Sequence, residues 1–206
     1  LTTFPYRVGI DAFDVGVRDE RVSVRDVRGT TNEGGRFTVN GRVVLPTDEQ
    51  DEADLDLHLT ADSIRFEESL ISAMPGAVGD ELGKLHAGGA FSTADELHML
   101  FTPGEPARVV GTLLLEDASC TLKDVHEDLR SLGDTPAREL VGEVRLTPGQ
   151  VELAGVSGQF LDSPVSLSGV LEFGVEAPPF DLQVSLERLT VNEEARKLAG
   201  PKSEGF

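Results

Sequence analysis

Apolar and polar residues alternate along most of this chain. Tyr6, Val8 and Ile10 alternate with polar neighbours, as do Phe13, Val15 and Val17, then Val22 and Val24. The alternation returns in Phe37 to Leu45, Leu55 to Leu59, Val109 to Leu115, and Val144 with Leu146. It continues through Val151, Leu153, Val165 to Phe173, and Phe180 to Val191. A period of two sends successive side chains to opposite sides of a strand, so each run predicts a half-buried strand with one apolar face. Turn formers separate the runs: Asn32-Glu33-Gly34-Gly35, Pro46, Pro148-Gly149, Asp162-Ser163-Pro164 and Ala177-Pro178-Pro179. Evenly spaced strands with short polar links predict an antiparallel meander.

The pattern is also repeated. The first copy reads Val22-x-Val24-x-x-Val27-x-Gly29, Phe37-x-Val39-x-Gly41-x-Val43, then Leu55-x-Leu57-x-Leu59. The second reads Val151-x-Leu153-x-x-Val156-x-Gly158, Val165-x-Leu167-x-Gly169-x-Leu171, then Phe180-x-Leu182-x-Val184-x-Leu186. Gly41 and Gly169 fall inside strands, and Gly111 in Val109-x-Gly111-x-Leu113 is a third instance. A glycine within a strand marks a bend, a bulge or a close backbone approach, which suits a sheet that must curve. Repeated sets of half-buried strands predict an elongated repeat architecture. Three units follow, at residues 1–66, 87–146 and 147–192, with a polar tail at 193–206.

One region departs from the alternation. Glu67 to Met74 begins with acidic residues and stops at Pro75, which predicts a short helix. Val78, Leu82 and Leu85 recur at helical spacing and predict a second, from about Ala77 to His86. The expectation is a mainly β fold, an elongated curled antiparallel meander, with one or two short helices in an insert at 66–86.

Composition narrows the function. The chain has 206 residues, of which 39% are hydrophobic, enough for a core that is mostly Leu and Val. With no Trp and one Tyr it offers no platform for stacking bases. A formal charge of −19 repels nucleic acid and anionic membrane surfaces. The lone Cys120 excludes an intramolecular disulfide. No apolar run approaches the ~20 residues of a membrane span, and no signal peptide is visible. The chain begins at Leu1 rather than Met, which reads as a piece of a longer protein.

Candidate chemistry is sparse. His58, His86, His98 and His126 are scattered without ligand spacing, so no metal is expected. The acidic run Asp48, Glu49, Asp51, Glu52, Asp54 and Asp56 lacks the glycine and terminal Glu of an EF-hand and reads as a solvated loop. No nucleophile elbow or phosphate-binding loop is present, so no cofactor is implied and the chain is not read as an enzyme. What remains is the apolar face. Two sheets closed on one another would make it core, and an open curled sheet would make it the lining of a groove. Periodicity fits both.

The strings Gly111-x-Leu113-x-Leu115, Leu140-x-Gly142-x-Val144, Val151-x-Leu153-x-x-Val156-x-Gly158, Val165-x-Leu167-x-Gly169-x-Leu171 and Pro179-Phe180-x-Leu182-x-Val184-x-Leu186 resemble the recurring unit of AsmA-like proteins. Glu67 to Pro75 looks like the insert that precedes a glycine-led strand in that family. The resemblance implies a repeating β-groove that shields lipid acyl chains, in a bridge-like lipid-transfer protein. It further implies a periplasmic segment of a parent anchored in the inner membrane, moving phospholipid toward the outer membrane. Its partners would be phospholipid acyl chains and neighbouring repeats of the same chain, and the family brings no catalytic residues. The expected lining is Phe37, Val39, Val43, Leu55, Leu57, Leu59, Leu113, Leu115, Val165, Leu167, Leu171, Phe180, Leu182, Val184 and Leu186. The alternatives are a structural or adhesive envelope domain with a closed sandwich core, or an assembly factor for outer-membrane proteins.

Overall fold

The alternating runs become strands β1 (Val8–Arg18), β2 (Arg21–Thr31), β3 (Arg36–Val44), β4 (Asp54–Asp62) and β5 (Ile64–Arg65), then helix α1 (Glu68–Ala73). They resume as β6 (Gly88–Thr93), β7 (Leu97–Phe101), β8 (Arg108–Cys120), β9 (Ala137–Thr147), β10 (Gln150–Phe160), β11 (Ser163–Glu172) and β12 (Phe180–Leu186). The computed structural model describes residues 7–45, 53–73, 83–105, 108–121, 123, 134–172 and 180–187. The second expected helix and the acidic run before Ala53 fall wholly or largely outside them.

Among the described residues, all twelve strands belong to one antiparallel sheet. Its main path runs β1-β2-β3-β4-β7-β8-β9-β10-β11-β12, so β1 and β12 form two separate edges. At ~4.8 Å per strand, this path is about 45 Å long. It is an open meander, not two facing sheets. Strand β1 explains why its apolar phase switches between Ile10 and Phe13: the register with β2 shifts on both sides of Ala12.

The doubled spacing in the sequence has a structural cause. Val24 pairs with Gly41 and Val27 with Val39, so β2 has one residue more than β3 over this interval. Leu153 and Val156 stand against Gly169 and Leu167 in the same way. Leu115 and Ala118 do so against Gly142 and Leu140. Each is a β-bulge, carrying Asp26, Gly155 or Asp117 at φ 50°, 69° or 49°. One such bulge falls in each of the three units read from the sequence.

The facing glycines are needed for two reasons. Gly41 and Gly169 have φ of 147° and 146°, a region that side chains avoid. A Cβ at Gly41 would also overlap the carbonyl oxygen of Asp56, and one at Gly169 that of Asp181. Bulge and glycine together kink one strand and draw the next in close, which curls the sheet.

Strands β4–β5 and β6–β7 are two long strands, each interrupted. β6 pairs with the C-terminal half of β8 and β7 with its N-terminal end. The first interruption is Ser63, at φ 51°. Side chains take up the amides released there: Thr93 Oγ1 accepts from the Ala61 N–H at 3.1 Å, and Ser92 Oγ from the Ser63 N–H at 2.9 Å. The Ser63 hydroxyl donates to Glu116 Oε2 at 2.6 Å, and Ser92 donates to the other oxygen of the same carboxylate.

Burial is uneven along the sheet. A cluster of Ala118, Ala137, Leu140, Val144, Val156, Phe160, Leu161, Val165 and Leu167 forms the main core, across β8 to β11. A smaller one, Ala61, Ile64 and Phe91, is covered by Phe66 and by Leu70 of α1. Leu97 of β7 is buried as well, and the remainder of the apolar face is half-buried or exposed.

Candidate functional site

Register aligns the apolar residues into ladders that cross the sheet. Val22, Val43, Leu55 and Phe101 are successive partners, and so are Val24, Gly41, Leu57, Met99 and Val109. Further on, Leu113, Val144, Leu153, Gly169 and Leu182 form another ladder. Because each pair lies directly opposite, the apolar positions of neighbouring strands share one face. The aliphatic residues expected to line a groove therefore fall on a common surface.

They differ in how far they are covered. Val165 and Leu167 are 3% and 4% exposed and belong to the main core. Leu113 and Leu115 are half-buried against that core, and Phe37 against the smaller cluster. Val39, Val43, Leu55, Leu57, Leu59 and Leu182 are half-buried. Val184 and Leu186, in the edge strand β12, are 45% and 39% exposed. Leu171 and Phe180 pair with one another across β11 and β12.

Two stretches of the same face were missing from that expected lining. Val15 and Val17 pair with Val24 and Val22, carrying the face to the β1 edge, where Val17 is 71% exposed. Leu97, Met99 and Phe101 stand opposite Leu59, Leu57 and Leu55. Their alternation, Leu97-x-Met99-x-Phe101, is visible in the sequence once the strand is recognised.

The opposite face is mostly polar, with Val110 and Leu114 exposed on it, and holds a second feature. His58 of β4 lies directly across from His98 of β7, and the two rings stack at 4.6 Å with an interplanar angle of 8°. Asp56, two residues before His58 and so on the same side of β4, accepts a 2.8 Å hydrogen bond from His98 Nε2 at Oδ1. Arg42 contacts the other carboxylate oxygen at 3.0 Å. The hydrogen bond from His98, followed by the Arg42 charge, holds the Asp56 carboxyl below its usual range, with burial acting the other way. Glu96 Oε2 lies 3.2 Å from His58 Nδ1. One donor atom from each of Asp56, His58 and His98 falls within 4.8 Å of the others. These histidines are forty positions apart, and only the β4–β7 register brings them together.

Compared with protein-family models, with curated proteins and with solved structures, the chain matches none.

Proposed function

We propose that this segment shields phospholipid acyl chains along its apolar face, as a non-enzymatic part of an AsmA-like envelope protein that moves lipid between inner and outer membranes. The observation that carries the reading is an apolar face running from one open sheet edge to the other, with most of its aliphatic side chains left half-covered. A ~16-carbon chain leaving a bilayer alone costs on the order of 12 kcal/mol, at ~0.8 kcal/mol per methylene. A continuous Leu- and Val-rich surface removes most of that cost. Its sparse aromatics and lack of fixed polar groups suit a chain that must slide rather than be held.

The two edges support the same reading. Val15 and Val17 at one, and Val184 and Leu186 at the other, are exposed apolar side chains. Neighbouring repeats of the parent chain would extend the sheet and its lining there. The reading places the segment in the periplasm, with the parent anchored in the inner membrane.

Native mass spectrometry of the purified chain tests it. Phospholipid is expected to co-purify, and Leu57→Asp and Leu182→Asp are expected to release it while circular dichroism keeps the strand signal. A folded chain that carries no phospholipid, and takes up no fluorescent phospholipid from vesicles, overturns the reading.

A further inference from the structure

We propose that Asp56, His58 and His98 form a binding site for one divalent transition-metal ion of the zinc type, tying β4 to β7 on the polar face of the sheet. The site is independent of what the apolar face carries.

Three donor atoms converge there. Asp56 Oδ1 is 2.8 Å from His98 Nε2 and 3.9 Å from His58 Nε2. The longer gap is no hydrogen bond. It is close to the spacing of ligand atoms around a shared ion, about 3.3 Å for tetrahedral bonds of about 2.0–2.1 Å. All three donor atoms lie within 4.8 Å of one another, and rotation of the two stacked imidazoles turns their nitrogens toward a common ion.

Surrounding groups leave the right atoms available. Glu96 Oε2 stands 3.2 Å from His58 Nδ1, a contact that favours the tautomer with its proton on Nδ1. In the neutral ring that leaves the Nε2 lone pair directed at Asp56. A carboxylate behind a ligating imidazole is the usual support for such a ligand. Arg42 occupies Asp56 Oδ2 and leaves Oδ1 to the ion. At His98 the ring proton moves from Nε2, where it now faces Asp56 Oδ1, to Nδ1, which frees the Nε2 lone pair for the ion.

Ligand chemistry sets the class of ion. Two imidazoles and one carboxylate suit Zn2+, Co2+, Ni2+ or Cu2+, whereas Ca2+ and Mg2+ favour all-oxygen sites. The His58, His98 and Asp56 side chains are 40%, 45% and 24% exposed, so an ion enters from solvent without opening the fold. The charge of −19 raises the local cation concentration. β4 and β7 pair over Leu55 to Leu59 only, a short junction that a bridging ion fastens.

Calorimetric titration of Zn2+ into the metal-stripped 206-residue chain tests the proposal. One saturable equivalent is expected, and His58→Ala and His98→Ala each weaken binding by at least about tenfold. His86→Ala leaves binding unchanged, and Arg42→Gln tightens it by removing a competing cation. NMR supplies an answer without any substitution: equimolar Zn2+ shifts the ring signals of His58 and His98 but not those of His86. Absence of a saturable site, unchanged binding in both histidine variants, or unshifted His58 and His98 signals each overturns it.

Discussion

Val27 and Val156 hold the same place in two copies of one backbone device, yet Val156 is 1% exposed and Val27 only half-buried. Both re-enter the ladder just after a bulge, both face the strand that carries the in-strand glycine, and both precede a glycine by two residues. What differs is the turn that follows. The C-terminal copy carries Phe160 and Leu161, 9% and 4% exposed, where the N-terminal copy has Thr31 and Asn32. Phe160 at the end of β10 and Leu161 in the turn close one end of the curl over Val156, Val165 and Leu167. The polar turn leaves Val27, Phe37 and Val39 partly open. Bulge and glycine therefore set the curvature, and the turn decides whether the curved face becomes core or lining.

The strongest way to break this comparison is at the shared device. Gly41→Ala and Gly169→Ala are expected to cost about 3 kcal/mol or more each, combining a disfavoured φ with displacement of the next strand. The two costs should agree, since both copies depend on the same geometry. Chemical denaturation measures them. A near-neutral Gly41→Ala beside a damaging Gly169→Ala means the copies share a pattern without sharing a mechanism.

The next test separates sealing from curvature. Val156→Ala removes two methyl groups from a closed core and is expected to cost about 2–3 kcal/mol. Val27→Ala, at the matching position on the open side, is expected to cost less than about 1 kcal/mol. At roughly 2–4 °C per kcal/mol, thermal melts resolve the two. Equal losses place Val27 in a core as closed as that around Val156.

Much of this was legible in the sequence, for a physical reason. Period-two alternation and the positions of turn formers depend on local chemistry, so the meander, the helix at Glu68–Ala73 and the repeat all follow from a single chain. The bulges were legible in part: the in-strand glycines pointed to them, but the extra residue sits in the facing strand, at the x-x step of Val24-x-x-Val27. What local chemistry does not carry is register between distant strands. Nothing near His58 announces that it will face His98, because that depends on Ser63, the helical insert and the residues between them all taking their places. For the same reason alternation alone could not distinguish a sealed face from an open one. Phe160 and Leu161 lie just before the turn formers Asp162-Ser163-Pro164, and their covering role emerges only when β9 to β11 are curled beneath them.

Cys120 offers the gentlest probe of where sealing ends. In the third copy it follows Ala118 by two residues, the place held by Gly29 and Gly158 in the others. It packs against the main core, and burial pushes its thiol up from 9.0 to about 11. The folded chain thus keeps this proton where the unfolded chain has released it. Between about pH 9 and pH 11 the folded state binds more protons, so rising pH favours unfolding. The contribution is fully present below pH 9 and disappears as the pH passes through 11. Other groups titrate in this range, so the informative quantity is the difference from Cys120→Ala. Urea midpoints at pH 8 and pH 10.5 should fall further in the unmodified chain than in the variant. The thiol should also react with alkylating reagents at pH 8 only as fast as the core opens. Superimposed pH profiles and rapid labelling would mean that the sealed region stops short of the end of β8, and that the open lining begins one strand earlier than Val144 and Leu140 suggest.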